Sequence, residues 1–359
     1  MSTFCRILPV AKKPSFGYNH PMDWSILGHE WAVDLLSQQI AHKRIHHAYL
    51  FTGPTGVGRQ QLALRLVQAL NCPNPPQPGQ PCLACPTCTR LERKQHSDLI
   101  VVQPEAGSKV LRVDQVREVQ HALALAPYEA RYKIALFLNF QDTLASVPNA
   151  LLKTLEEPPP RVIIILIADD PDNLLPTITS RCEVIRLRPV SSEKISQGLQ
   201  QLWGLSSEQA ELLAHISGGM PVTALNMQQQ PELLDQRKQY LEDFYALLSA
   251  SRVEKFAFAR AAKDDKDKLR AELRVWVGLW RDVLLTCAGS TNSIVNNDCS
   301  SVVQNLAAQI EFSQACRLLA CMQQAINRID SSYINVQLAL EALLLEFPTL
   351  NLSNSPLIE

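Results

Sequence analysis

The sequence predicts an α/β domain on a parallel sheet with a P-loop-type glycine turn, then a small helical unit and an all-helical C-terminal region. Three observations carry this reading. HHAYLF (His46 to Phe51) reads as a short strand that runs into the glycine-rich TGPTGVGR and then into a helical pattern, which is the strand, loop, helix order a phosphate loop requires. Apolar strand-like runs go on alternating with helical patterns to about Pro189, as expected of parallel strands covered by helices on both faces. Beyond Pro189 no convincing strand pattern remains.

The elements follow in order. The first 21 residues hold basic side chains but no continuous apolar core, and Pro9, Pro14 and Pro21 interrupt them; they read as a disordered leader, not a signal peptide. From Met22, the spacing of Ile26, Val33, Leu35, Leu36 and Ile40 predicts an amphipathic helix. After the glycine loop, Leu62, Leu66, Val67 and Leu70 share one helical face, and a proline-rich, cysteine-bearing insert spans Cys72 to Cys88. The strands LIVVQP (Leu99 to Pro104), YKIALFL (Tyr132 to Leu138) and RVIIILIA alternate with helices around Val113 to Ala124 and over Asn149 to Pro160. Residues 190–230 read as a helical lid unit, with helices near Glu193 to Leu202 and Ser207 to Ile216 and a break at Gly218-Gly219. From 231 to 359 the pattern is helical; its clearest segment places Leu269, Leu273, Trp276, Val277, Trp280, Leu284 and Cys287 at helical spacing behind the solvated run KDDKDK (Lys263 to Lys268).

Composition excludes several function classes. With 359 residues, 46% hydrophobic and 19% charged, the chain can bury a full core, and its net charge of -1 gives no bulk electrostatic reason to bind nucleic acid or an anionic membrane. The longest apolar run, Val162 to Ala168, suits a doubly buried strand and is too short to span a bilayer. Without an export signal the expected location is cytoplasmic, where the ten cysteines are thiols and any cluster among them points to metal before disulfide.

Two sites are legible. In G-x-x-x-x-G-K-[ST], glycines let backbone N–H groups approach the phosphates, the lysine reaches their oxygens and the hydroxyl holds Mg²⁺. Here Gly53 and Gly58 keep the frame, but the lysine position is Arg59 and the hydroxyl position is Gln60. The loop therefore reads as a degenerate structural turn, with weak Mg²⁺-independent nucleotide binding as the alternative. The second site is Cys72, Cys82, Cys85 and Cys88, spaced C-x9-C-x2-C-x2-C. Four thiolates close a tetrahedral structural Zn²⁺ site with no open position for chemistry. An iron–sulfur cluster or free thiols are the alternatives, although the fourth cysteine and proline of the bacterial ferredoxin run are absent downstream. The remaining cysteines, Cys5, Cys182, Cys287, Cys299, Cys316 and Cys321, lack ligand spacing.

HHAYLFTGPTGVGR, the cysteine insert, HSDL (His96 to Leu99), NALLKTLEEPP, LLPTITSRC (Leu174 to Cys182) and NVQLALEALLL (Asn335 to Leu345) together resemble the clamp-loader subunits of bacterial DNA polymerase III, within the AAA+ class. The resemblance implies a AAA+ domain over 22–189 with a zinc insert at 72–88, a helical lid over 190–230 and an oligomerisation collar over 231–359. It also places the acidic pair that would hold Mg²⁺ at positions occupied here by Leu138 and Asn139, and the γ-phosphate-sensing arginine near Val222. With Arg59 and Gln60, these departures match the catalytically silent kind of subunit, with no ATPase of its own. Ser180-Arg181-Cys182 is intact; in the resembled family this arginine enters the neighbouring subunit's ATP site, a contribution of roughly 10³ to 10⁵ in rate where an arginine is supplied in trans. Read without the resemblance, Arg181 pairs with a local carboxylate such as Glu183 or Asp170. The implied partners are the ATPase tau/gamma subunits and the delta subunit, and indirectly the sliding clamp and primed DNA. An active tau/gamma-like ATPase and a free-standing zinc nucleic-acid binder are the competing readings, the latter opposed by the charge balance and the lack of a basic aromatic stripe.

Overall fold

The structure, a computed structural model, describes residues 24–104, 110–144, 146–290, 294–330 and 335–350. The expected leader over 1–21 and Cys5 lie outside them. The chain divides into two compact units: residues 1–203 with 220–222, and residues 204–219 with 223–359.

In the first unit the order is α1 (Glu30–Ala41), β1 (Ala48–Thr52), α2 (Arg59–Asn71), α3 (Pro86–Glu92), β2 (Leu99–Val102), α4 (Val113–Leu123), β3 (Lys133–Phe137), α5 (Ser146–Glu156), β4 (Val162–Ala168), α6 (Pro176–Thr179), β5 (Glu183–Arg186) and α7 (Ser192–Trp203). The five strands form one sheet in the order β2-β3-β4-β1-β5, every pair parallel. Successive strand residues face opposite sides, and the core divides accordingly. Tyr49, Phe51, Ile134, Leu136, Ile163 and Ile165 pack with Leu36, Leu62 and Leu66 of α1 and α2, whereas Leu50, Phe137, Ile164 and Leu166 pack with Val116, Val119 and Leu151 of α4 and α5. Burial on both faces is why β1, β3 and β4 read as continuous apolar runs.

β5 escapes sequence reading. It pairs only with β1, at the sheet edge, and only Ile185 of its four residues is buried. Its role is positional: Leu187, just past its end, presses its carbonyl on the glycine loop, and a Cβ on Gly53 would lie 2.4 Å from that oxygen.

The second unit comprises α8 (Ser207–Ile216), α9 (Pro221–Gln229, from Thr223 on), α10 (Glu232–Ser249), α11 (Arg252–Ala262), α12 (Lys266–Cys287), α13 (Ser300–Gln309), α14 (Phe312–Asp330) and α15 (Val336–Leu345). The predicted break is a pair of left-handed glycines, Gly218 at φ 62° and Gly219 at φ 83°, which glycine adopts without steric cost. The long helix α12 is central: Leu269, Leu273, Trp276 and Trp280 are buried with Phe244, Phe347, Val303 and Met322. Both indole N–H groups are satisfied inside that core, Trp276 donating to Tyr240 O at 2.8 Å and Trp280 to Ala315 O at 3.0 Å. Among the described residues no helix is long and apolar enough to cross a membrane.

Candidate functional site

The glycine loop joins β1 to α2. Because β4 neighbours β1 in a parallel sheet, the residue after β4 arrives at the same edge as the loop. Gly53 N–H donates to Asp169 O at 3.0 Å, and the Asp169 carboxylate forms an ion pair with Arg59, Nη1 to Oδ1 2.5 Å. Arg59 is 8% exposed, so the residue at the lysine position is folded inward onto its own domain's carboxylate. Gln141, past β3, donates to the other Asp169 oxygen at 3.5 Å. Leu138 packs against the core and Asn139 is exposed, with φ 51°. Val222 N–H donates to Gly56 O at 2.9 Å, and its methyl lies 4.0 Å from where a Gly58 Cβ would stand. The His29 ring nitrogen Nε2 lies 2.8 Å from Val57 O, and burial lowers the His29 pKa despite that bond.

The structure thus brings the loop, residues 138–139 and Val222 to one edge of the sheet. There the loop's Arg59 is already paired, residue 60 is a glutamine, and residues 138 and 139 are leucine and asparagine. Asp169 is the residue sequence reasoning missed. The available signal was its place directly after the most apolar strand, but its pairing with Arg59 required knowing the strand order.

The four cysteines also converge. Their sulfurs lie within 4.8 Å of one another, with Cys82 Sγ and Cys88 Sγ 3.9 Å apart; tetrahedral zinc with ~2.3 Å bonds needs sulfurs about 3.8 Å apart. Backbone N–H groups point at the sulfurs: Cys82 N at Cys72 Sγ (3.4 Å), Cys85 N at Cys82 Sγ (3.3 Å) and Cys88 N at Cys85 Sγ (3.3 Å). Such donors stabilise thiolate. At Cys82 burial opposes ionisation, yet the Ala84 and Cys85 backbone donors and the neighbouring thiols bring its pKa down to about 6, whereas burial raises the pKa of Cys72 and of Cys88. Local chain geometry makes this possible: Cys72 closes α2, Leu83 takes the left-handed conformation at φ 56°, and Cys85 caps α3. The donor set fits a closed metal site, in which the four thiolates would hold the ion and staple the insert. The insert is further anchored by Trp24 Nε1 to Gly79 O at 3.0 Å and by Gln68 Nε2 to Cys88 O at 2.8 Å.

HSDL has a structural task. Asp98 accepts N–H bonds from Tyr128, Glu129 and Ala130 at 2.7–2.9 Å. Burial disfavours its charge, but these donors outweigh burial and lower its pKa.

Arg181 lies away from the glycine loop, following α6. Its Nη2 is 2.6 Å from Glu156 Oε1, at the end of α5, and its Nη1 donates to Thr177 O at 2.9 Å. A local carboxylate does pair with it, but the partner is Glu156 from NALLKTLEEPP and neither Glu183 nor Asp170. The side chain is 35% exposed.

Two family models described as the delta subunit of DNA polymerase III match residues 28–191 and, for its C-terminal part, residues 231–349. The chain is 28% identical over 317 residues to DNA polymerase III subunit delta' of Bacillus subtilis, covering 87% of this chain and 94% of that one. The chain belongs to the DNA polymerase III delta' family. The delta' subunit of Pseudomonas aeruginosa is 32% identical over 219 residues, covering 61% of this chain and 66% of that one. The tau subunit of Escherichia coli is 33% identical over 177 residues, or 49% of this chain and 27% of tau. The tau subunit of Bacillus subtilis is 29% identical over 251 residues, 68% of this chain and 43% of tau, whereas the match to the Bacillus delta' subunit covers 87% of this chain and 94% of that one.

Proposed function

We propose that this chain acts as the non-hydrolysing delta' subunit of the DNA polymerase III clamp loader. It works as a scaffold in the ring with the ATPase tau/gamma and delta subunits while the assembly loads the sliding clamp on primed DNA. Its three parts are a AAA+ domain over 22–189, a lid over 190–230 and a collar over 231–359. The observation that carries the silent role is the Arg59–Asp169 ion pair. Phosphoryl transfer depends on positioned cations around the γ-phosphate and Mg²⁺; here the loop's cation is neutralised internally, and Val222, near which the resemblance puts a sensing arginine, brings only a methyl group to the loop, 4.0 Å from where a Gly58 Cβ would stand. The cysteine cluster holds a structural Zn²⁺ that organises the insert and takes no part in turnover.

In this reading Arg181 supplies positive charge to the neighbouring subunit's ATP site. Its partial exposure on a sheet-edge turn, on a weak surface pair instead of a buried one, supports that role. Arg181 is not free of duties in its own domain, because it also meets the Thr177 carbonyl.

The test is reconstitution. The chain is combined with tau/gamma and delta, and ATPase and clamp loading are measured on the isolated chain, the wild-type ring and a ring carrying Arg181→Ala. The reading expects no turnover from the isolated chain, an assembled mutant ring, and a fall in its DNA-stimulated ATPase with a larger fall in loading. A mutant ring with wild-type turnover and loading removes Arg181 from the mechanism; turnover by the isolated chain overturns the silent assignment.

A further inference from the structure

Glu156 closes α5 and its carboxylate meets Arg181, which follows the short helix α6. The guanidinium is gripped on two nitrogens, Nη2 by Glu156 Oε1 at 2.6 Å and Nη1 by the Thr177 carbonyl at 2.9 Å. Nη1 also reaches Ser180 Oγ at 3.5 Å; a guanidinium carries five N–H groups in a rigid planar fork, so these three contacts leave two for another oxygen anion. Thr177 O belongs to the short helix α6 and also accepts from Ser180 Oγ at 3.4 Å; it is an acceptor fixed by backbone. Of the two side chains that meet Arg181, Glu156 carries the charge and the shorter contact, 2.6 Å against 3.5 Å for Ser180 Oγ, and it lies on α5, so replacing it leaves α6 unchanged. Both side chains are partly exposed, Arg181 at 35% and Glu156 at 50%, so the contact is a tether and not a core element.

We infer that Glu156 is a positioning residue for Arg181: it restricts the long arginine side chain to one orientation before the neighbouring subunit's ATP arrives. This rests on the reading of Arg181 as acting in trans. An untethered arginine must lose its rotamer freedom at the moment of reaction, and a held one has already lost it. The carboxylate also offsets part of the positive charge on Arg181, which opposes phosphate stabilisation. Positioning and charge offset therefore predict opposite signs, and the experiment reads the sign.

In the reconstituted ring, Glu156→Ala is expected to lower ATPase kcat about 3- to 10-fold with KM for ATP little changed, and Glu156→Gln, which keeps an amide oxygen for Nη2, is expected to lie between it and wild type. In an Arg181→Ala background the same Glu156→Ala change should have no further effect, because its action passes through Arg181. Melting temperature and ring assembly of each variant are measured alongside. An unchanged or raised kcat for Glu156→Ala overturns the inference, as does an equal loss in the Arg181→Ala background. If Arg181→Ala alone leaves ring turnover at the wild-type level, the trans-acting reading itself fails; a loss with Arg181→Ala but none with Glu156→Ala removes only the positioning role.

Discussion

Arg59 Nη1 sits 2.5 Å from Asp169 Oδ1, so the cation of the glycine loop is neutralised by the residue that leaves the adjacent strand. Its burial separates this from an ordinary surface pair: Arg59 is 8% exposed, while Asp169 at 44% keeps much of its hydration. The arginine therefore has more to lose than its partner if the pair is broken.

Asp169→Ala is expected to cost about 1–3 kcal/mol, less than the full loss of a wholly buried pair because Asp169 is well solvated. Chemical denaturation checks the figure, and a change within error shows that Arg59 relaxes to solvent.

Arg59→Lys alone is not expected to create Mg²⁺-dependent ATP binding, since Gln60, Leu138, Asn139 and Val222 remain. Calorimetric titration with ATP and Mg²⁺ is the measurement; saturable micromolar binding would mean that the arginine was the sole obstacle.

Purified chain should carry about one Zn²⁺, the stoichiometry of a four-thiolate site, and Cys85→Ser should release the metal and lower the melting temperature while the ring still assembles. Elemental analysis decides the first part. A visible iron–sulfur absorption band, or metal-free protein of unchanged stability, contradicts the assignment.

In the helical unit Glu272 of α12 is 2% exposed, and burial first, then the like charge of Asp243, push its pKa from 4.5 up to about 7, with Lys268 opposing. The folded chain thus holds a proton that the unfolded chain has released. The stability this contributes is full below about pH 4.5, falls between 4.5 and about 7, and is gone above. Glu272→Gln should therefore stabilise the unit by about 2 kcal/mol at pH 8 and by little near pH 4.5. Unfolding curves at the two pH values test this, and a gain independent of pH would falsify the titration account.

Much of the fold was legible because its causes are local or periodic. Strands buried on both faces must be apolar throughout, so β1, β3 and β4 announced themselves; α12 did so through its tryptophan and leucine spacing. β5 did not, since an edge strand with one buried residue in four has neither an apolar run nor a clean alternation. The cysteine site was legible for a related reason: two-residue spacings bring sulfurs together through the local turn alone, before any tertiary contact is made.

By itself, the sequence determined which residues stand in the glycine loop, since arginine and glutamine at 59 and 60, in place of a phosphate loop's lysine and hydroxyl, are facts about residue identity that no packing changes. Only the tertiary structure decided what the surviving residues do instead. Gly53 is required because the Leu187 carbonyl passes against it, Arg59 turns to Asp169 because β4 lies beside β1, and Arg181 is held by Glu156 because α5 and α6 meet. In each case the partner is far away along the chain. Ion pairs and close backbone approaches depend on which elements become neighbours in space, and that information appears only once the strand order and helix packing are set.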